Sequence, residues 1–138
     1  MHADYGLKGG KGLAPERLRA LALLAREADV KVAADDPVHV DLLSAAATAA
    51  GSTIGVVVDV DEGMHRCGVV TPEEAILVAK RIAAAPGLRF AGLTGYEGHC
   101  SLEFDEAKRH AMAREAMGVL TGIAARLAEA GLPCGIVS

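Results

Sequence analysis

Residues 53–99 read TIGVVVDVDEGMHRCGVVTPEEAILVAKRIAAAPGLRFAGLTGYEGH, and this stretch decides the fold class. "IGVVV" (54–58) and "LRFAGL" (88–93) are apolar at nearly consecutive positions, as in strands covered on both faces. Between them, Thr71 and Glu74 form a capping box with Pro72 at the first helical position, and "PGL" (86–88) stops the helix. A strand, a helix and a second strand in this order imply a crossover and parallel pairing.

The same alternation extends in both directions. "APERLRALALLAREAD" (14–29) predicts a helix with Leu18, Leu21, Ala25 and Ala28 on one stripe, and "VKVAADDP" (30–37) predicts a short strand. Asp36 and Pro37 open a helix over 37–50, and Gly51 marks its end. The segment 104–131 carries Ala113, Met117, Leu120, Ile123, Ala124 and Leu127 on one stripe and is closed by Gly131. "PCGIVS" (133–138) begins a fourth strand. The expectation is an α/β chain with about four parallel strands, either a doubly wound open sheet or part of a (β/α)8 barrel. Periodicity does not separate the two. Four strands would be half of a barrel.

The chain has 138 residues with 51% hydrophobic content, which suits one globular domain, and residues 1–12 stand apart as a lead-in. Net charge is −4, with no block of five like charges, and aromatic residues make up 3% with no Trp. Nucleic acid is therefore not an expected partner, because binding it takes a basic surface and stacking rings. Three cysteines without a CxxC pair suit free thiols in a reducing compartment. No apolar run approaches the ~20 residues of a membrane span, and the reading is soluble and cytoplasmic.

In parallel α/β folds, chemistry gathers at the C-terminal ends of strands. Asp61, Met64, His65, Arg66 and Cys67 fall just past one strand, Tyr96, Glu97, His99 and Cys100 past the next, and Asp35 and Asp36 past the first. The three groups are expected on one rim. Arg66 offers a planar fork of donors to a phosphate, carboxylate or phenolate, or else an ion pair with Asp61 or Glu62. Asp59 and Asp61 could share a proton or a cation, although Asp61 in "DEGM" is read first as an Asx residue holding its own turn. Tyr96 can pass a proton beside a cation, or serve as an ordinary amphipathic rim residue. His99 and Cys100 are adjacent and would diverge on a strand end, which argues against a Cys/His dyad. His39, His110, Met112 and Met117 are read as helix-surface or packing residues.

"DVDEGMHRCGV" (59–69) followed, after a helix, by "PGLRFAGLTGYEGH" (86–99) resembles the D-threonine aldolase and D-serine dehydratase family. Its members are pyridoxal-phosphate enzymes of fold type III, with the alanine-racemase N-terminal barrel. The resemblance spans residues 13–138 and implies a partial (β/α)8 barrel. It implies that Arg66 meets the ring oxygen of pyridoxal phosphate, that Tyr96 stands beside the cofactor as the catalytic residue, and that Asp61 supports the arginine loop. It also places His99 and Ser138 in the cofactor site, Ser138 where a phosphate-cradling loop should begin.

The implied substrate is a D-3-hydroxy amino acid, cleaved by retro-aldol chemistry to glycine and an aldehyde, with elimination from D-serine as the alternative. The family's cofactor-bearing lysine has no counterpart here: Lys31 starts a strand at the wrong end, and Lys8 and Lys11 lie in the lead-in. The family's divalent-metal ligands and C-terminal β-domain are also missing, and no metal ligand is assigned in this chain. Glu62 stands where a small or hydroxyl residue is expected. These departures suggest an internal fragment, inactive alone and prone to self-association or homodimer formation through its open strand edges. The competing readings are a non-catalytic module binding pyridoxal phosphate or phosphate, and a structural half barrel.

Overall fold

The structure is a computed structural model that describes residues 14–138; the lead-in expected at 1–12, with Lys8 and Lys11, lies outside them. The elements alternate as expected: α1 (Pro15–Leu24), β1 (Lys31–Ala34), α2 (Pro37–Ala50), β2 (Ile54–Val60), α3 (Pro72–Ala84), β3 (Leu88–Gly95), a 3-10 turn (Gly98–Leu102), α4 (Glu106–Glu129) and β4 (Ile136–Val137).

Local chemistry sets the helix starts. The Asp36 carboxylate accepts the Val38 N–H at 2.7 Å, and Gly51 ends α2 in the left-handed conformation. Thr71 and Glu74 complete their capping box, with Glu74 Oε2 accepting from Thr71 N at 3.0 Å and Thr71 Oγ1 accepting from Glu74 N at 3.2 Å. A cap that the sequence reading missed begins α4, where Asp105 accepts from Lys108 N.

All four strands are parallel and lie in the order β1-β2-β3-β4. A doubly wound sheet reverses direction partway along its order; this one does not. Strict sequential order is that of a barrel sector, so the question left open by periodicity is answered. One hydrophobic cluster draws on all four helices and on Val32, Ala34, Ile54, Val56, Val58, Val60 and Leu93, so the helices cover a single face. Ile54, Val56, Val58 and Val60 are all buried there, and each such side chain contributes about 1.5–3 kcal/mol. The opposite face carries Val57, Asp59, Gly92 and Thr94, and among the described residues no helix of the core cluster lies upon it. It corresponds to a barrel interior.

Two expected helix faces shift. On α4 the buried row is Ala116, Leu120, Ile123 and Leu127, whereas Met117 is exposed. Both rows contain Leu120, Ile123 and Leu127 and both keep the 3.6-residue period, so contact with the sheet, and not period, selects between them. On α1 the helix ends at Leu24, and Leu18 and Ala22 are its buried residues, leaving Ala28 outside.

β3 carries a bulge opposite Val56 and Val57, and Gly92 adopts φ 141° there. Any side chain at Gly92 would strike the backbone carbonyl of Ile136, so this glycine lets β4 dock. Among the described residues, no helix is long and apolar enough to cross a membrane.

Candidate functional site

The loop after β2 folds back along its own strand. Asp61 N donates to Val69 O and Val69 N to Asp59 O, both at 2.9 Å. Gly68 makes this possible: its φ is 100°, and a methyl there would collide with the backbone of Val60 and Asp61. Its N–H donates to Asp35 Oδ2 at 3.0 Å, tying the end of β1 to this loop. Asp35 was expected on the rim; its task as the anchor of this loop was not foreseen. His39 Nδ1 also stands 3.3 Å from Asp35 Oδ1.

Asp61 lies just beyond the end of β2, and its Oδ1 accepts from Gly63 N and His65 N at 2.9 Å each. The Asx reading is therefore borne out. Burial works against its charge, but those two N–H groups and the His65 ring outweigh it and hold its carboxyl below the usual range. His65, at φ 52°, is a non-glycine residue in left-handed backbone, and the loop then presents Arg66 to solvent.

Arg66 and Tyr96 meet. The guanidinium carbon lies 5.4 Å from the Tyr96 ring centroid, a cation–π contact between two exposed side chains from adjacent strand ends. Gly98 leaves the space in which the Tyr96 ring lies. Behind them is a cavity of about 10 Å³, lined by Asp59, Asp61, Glu62, Arg66, Cys67 and Tyr96 among others. Burial, and then the Asp59 carboxylate, push the Cys67 thiol up against the opposing pull of Arg66.

Glu62 is 5% exposed, and neither of its carboxylate oxygens has a hydrogen-bond partner. The carboxyl lies on Gly95, where a methyl would collide with it. Burial, then Glu97 and Asp59, push its pKa up to about 7. The sequence showed only an unexpected acid at this position; its burial depends on Gly95, thirty-three residues away.

His99 packs over Gly63, and its Nδ1 is buried without a partner. Its Nε2 stands 3.7 Å from Cys100 Sγ. The two residues occupy a 3-10 turn and not a strand end, so the expected divergence does not occur. Cys100 is nonetheless buried, which withholds the thiol from any substrate. Ser138 reaches the same rim at the end of β4, but its N–H is spent on Leu93 O at 3.3 Å and its carbonyl accepts from Gly95 N at 2.8 Å. Its exposed hydroxyl remains.

Residues 12–138 match the model of the alanine racemase N-terminal domain. The chain belongs to that family. Within the alanine racemase N-terminal domain family, it is 32% identical over 124 residues to the D-threonine aldolase of an Arthrobacter species, covering 90% of this chain and 33% of that one. The crystal structure of D-threonine aldolase from Filomicrobium marinum superposes with a TM-score of 0.87 at 40% identity, with the same coverage of 90% and 33%. D-threo-3-hydroxyaspartate dehydratase from Delftia sp. HT23 superposes at 0.77 with 28% identity, again covering 90% and 33%. The chain thus spans about a third of the length of these relatives. Its (β/α) sector is the alanine-racemase-type barrel expected from the sequence.

Proposed function

We propose that the Arg66–Tyr96 rim is the cofactor rim of a pyridoxal-phosphate enzyme acting on D-3-hydroxy amino acids, by retro-aldol cleavage of the D-threonine type. The observation that carries this reading is the guanidinium held against the Tyr96 ring where parallel strands end. Likeness to D-threonine aldolases supports it.

The residues fit one end of the cofactor. Arg66 is a planar donor fork fixed against an aromatic ring at an exposed rim, which suits a ring phenolate oxygen. Among the described residues no lysine stands at this rim as its covalent anchor: Lys31 is paired with Asp29 at the far end of β1, Lys80 lies on α3 and Lys108 on α4. Among the described residues no three His, Cys, Asp or Glu side chains gather to hold a metal ion, so these residues do not cage the divalent metal that the resemblance implies.

In retro-aldol cleavage the 3-hydroxyl loses its proton and the Cα–Cβ bond breaks. The aldehyde leaves, and Cα takes up a proton to give glycine. Bound pyridoxal phosphate supplies the electron sink for the charge left at Cα. Arg66 would hold that cofactor at its ring oxygen and orient it. Asp61, through Gly63 N and His65 N, shapes the loop that carries Arg66. Tyr96 holds or passes a proton at its phenol oxygen, beside the guanidinium. Dehydration is the second reading, favoured by likeness to the Delftia dehydratase.

Titrating the chain with pyridoxal phosphate by absorbance tests the proposal. Saturable binding is expected, weakened by about tenfold or more in Arg66→Ala, the loss typical of one charged hydrogen bond. Equal binding by the two proteins, or none by either, would overturn it.

A further inference from the structure

We propose that Glu62 is a proton-holding positioning residue of this rim: as the neutral acid it keeps the cavity wall's negative charge low enough for an anionic ligand oxygen to approach Arg66, and as the carboxylate it repels that oxygen. The inference rests on the cofactor reading above and adds a residue and a charge state to it.

The geometry comes first. Glu62 is nine-tenths buried, neither oxygen finds a donor, and it lines a cavity with room for about one water molecule. A carboxylate without hydrogen bonds is among the most costly groups to bury, so this environment accommodates the protonated form. The groups around it point the same way. Asp59 faces it from β2; Asp61, Arg66 and Cys67 from the loop after β2; Tyr96 and Glu97 from the segment after β3. His99, from the 3-10 turn, packs on the neighbouring Gly63.

Arg66 is the fixed cation in this set, against Asp59, Asp61 and Glu97. Asp61 is already committed to two backbone N–H groups. A further ionised carboxyl would tip the cavity wall against any anion. Burial together with Glu97 and Asp59 shifts Glu62 toward neutrality, in agreement with the geometry.

The test compares wild type with Glu62→Gln, which keeps the shape and cannot ionise. Each is titrated with pyridoxal phosphate at about pH 6 and about pH 8, on either side of the Glu62 transition. The ligand's own ionisations act on both proteins alike and cancel in the comparison. Wild type is expected to lose about tenfold more affinity than Glu62→Gln over that interval. The same pH dependence in both proteins would overturn the proposal.

Infrared spectra of the ligand-free wild type provide a readout that needs neither the cofactor nor a folded variant. A protonated-carboxyl band is expected at about pH 6 and should be gone at about pH 8, in the window of a carboxyl held neutral by burial. No such band at about pH 6 overturns the proposal outright. If the band is present but neither protein binds pyridoxal phosphate, the cofactor reading falls, the link between Glu62 and the ligand falls with it, and the buried neutral acid stands.

Discussion

The two ends of the sheet hold charge in opposite ways. At the N-terminal end, Asp29 pairs with Lys31 and, at 3.1 Å, with Arg89 Nη2; Gly55 leaves room for the Lys31 stem and the Arg89 tip. The Lys31 hydrogen bond is the main cause that holds the Asp29 carboxyl below its usual range. These three charges are open to solvent and paired with one another. At the C-terminal end, Glu62 is buried and its carboxylate has no hydrogen-bond partner, in the wall of the small cavity that Arg66 and Tyr96 also line. Pairing at a surface contributes little either way, whereas a buried acid without a donor costs stability. A fold keeps such a cost where binding or catalysis needs it. The contrast supports the proposed site at the C-terminal rim.

The strongest way to break the contrast is Gly68→Ala. A Cβ at φ 100° colliding with the backbone of Val60 and Asp61 should cost more than about 3 kcal/mol in urea denaturation and release the loop that carries Arg66. Retained stability would mean that the loop is not seated as described.

Glu62→Gln comes next. The folded-state pKa of Glu62 is raised from 4.5 to about 7, so the folded chain holds this proton more tightly than the unfolded chain. Its contribution is full below 4.5, is lost as pH rises toward about 7, and stays lost above that. Wild type should therefore lose about 3 kcal/mol across the window, and Glu62→Gln should lose less by that amount. Parallel stability profiles for the two proteins would show that the acid is not buried.

The smallest effect is expected from Asp29→Ala at the opposite end. Its stability change should be slight and should vanish at high salt, as for solvated ion pairs. A large, salt-independent loss would show that the two ends are alike after all.

Much of this was legible because it is local. Asp36, Thr71 and Glu74 cap helices through bonds that span two to four residues, and strand–helix alternation is a matter of period. The Asx turn at Asp61 could be read for the same reason. The motif pair around Arg66 and Tyr96 placed the rim, since parallel strands bring successive C-terminal ends together. What could not be read depends on distant partners. The Gly68–Asp35 bond spans thirty-three residues, and the buried row of α4 is selected by the sheet it meets. The His99–Cys100 contact turned on whether those residues form a strand end or a 3-10 turn.

The sequence by itself determined the parallel α/β class, the helix starts and the residues gathered at the strand ends, because hydrophobic period and capping act over one or two turns of chain. The motif resemblance pointed to a barrel where periodicity left two architectures open, and the tertiary structure laid the strands in sequential order; only the tertiary structure decided that Glu62 is sealed against Gly95 beside the Arg66–Tyr96 pair. Strand order and the burial of a charge are set by what arrives from elsewhere in the chain, and short-range patterns carry no record of it.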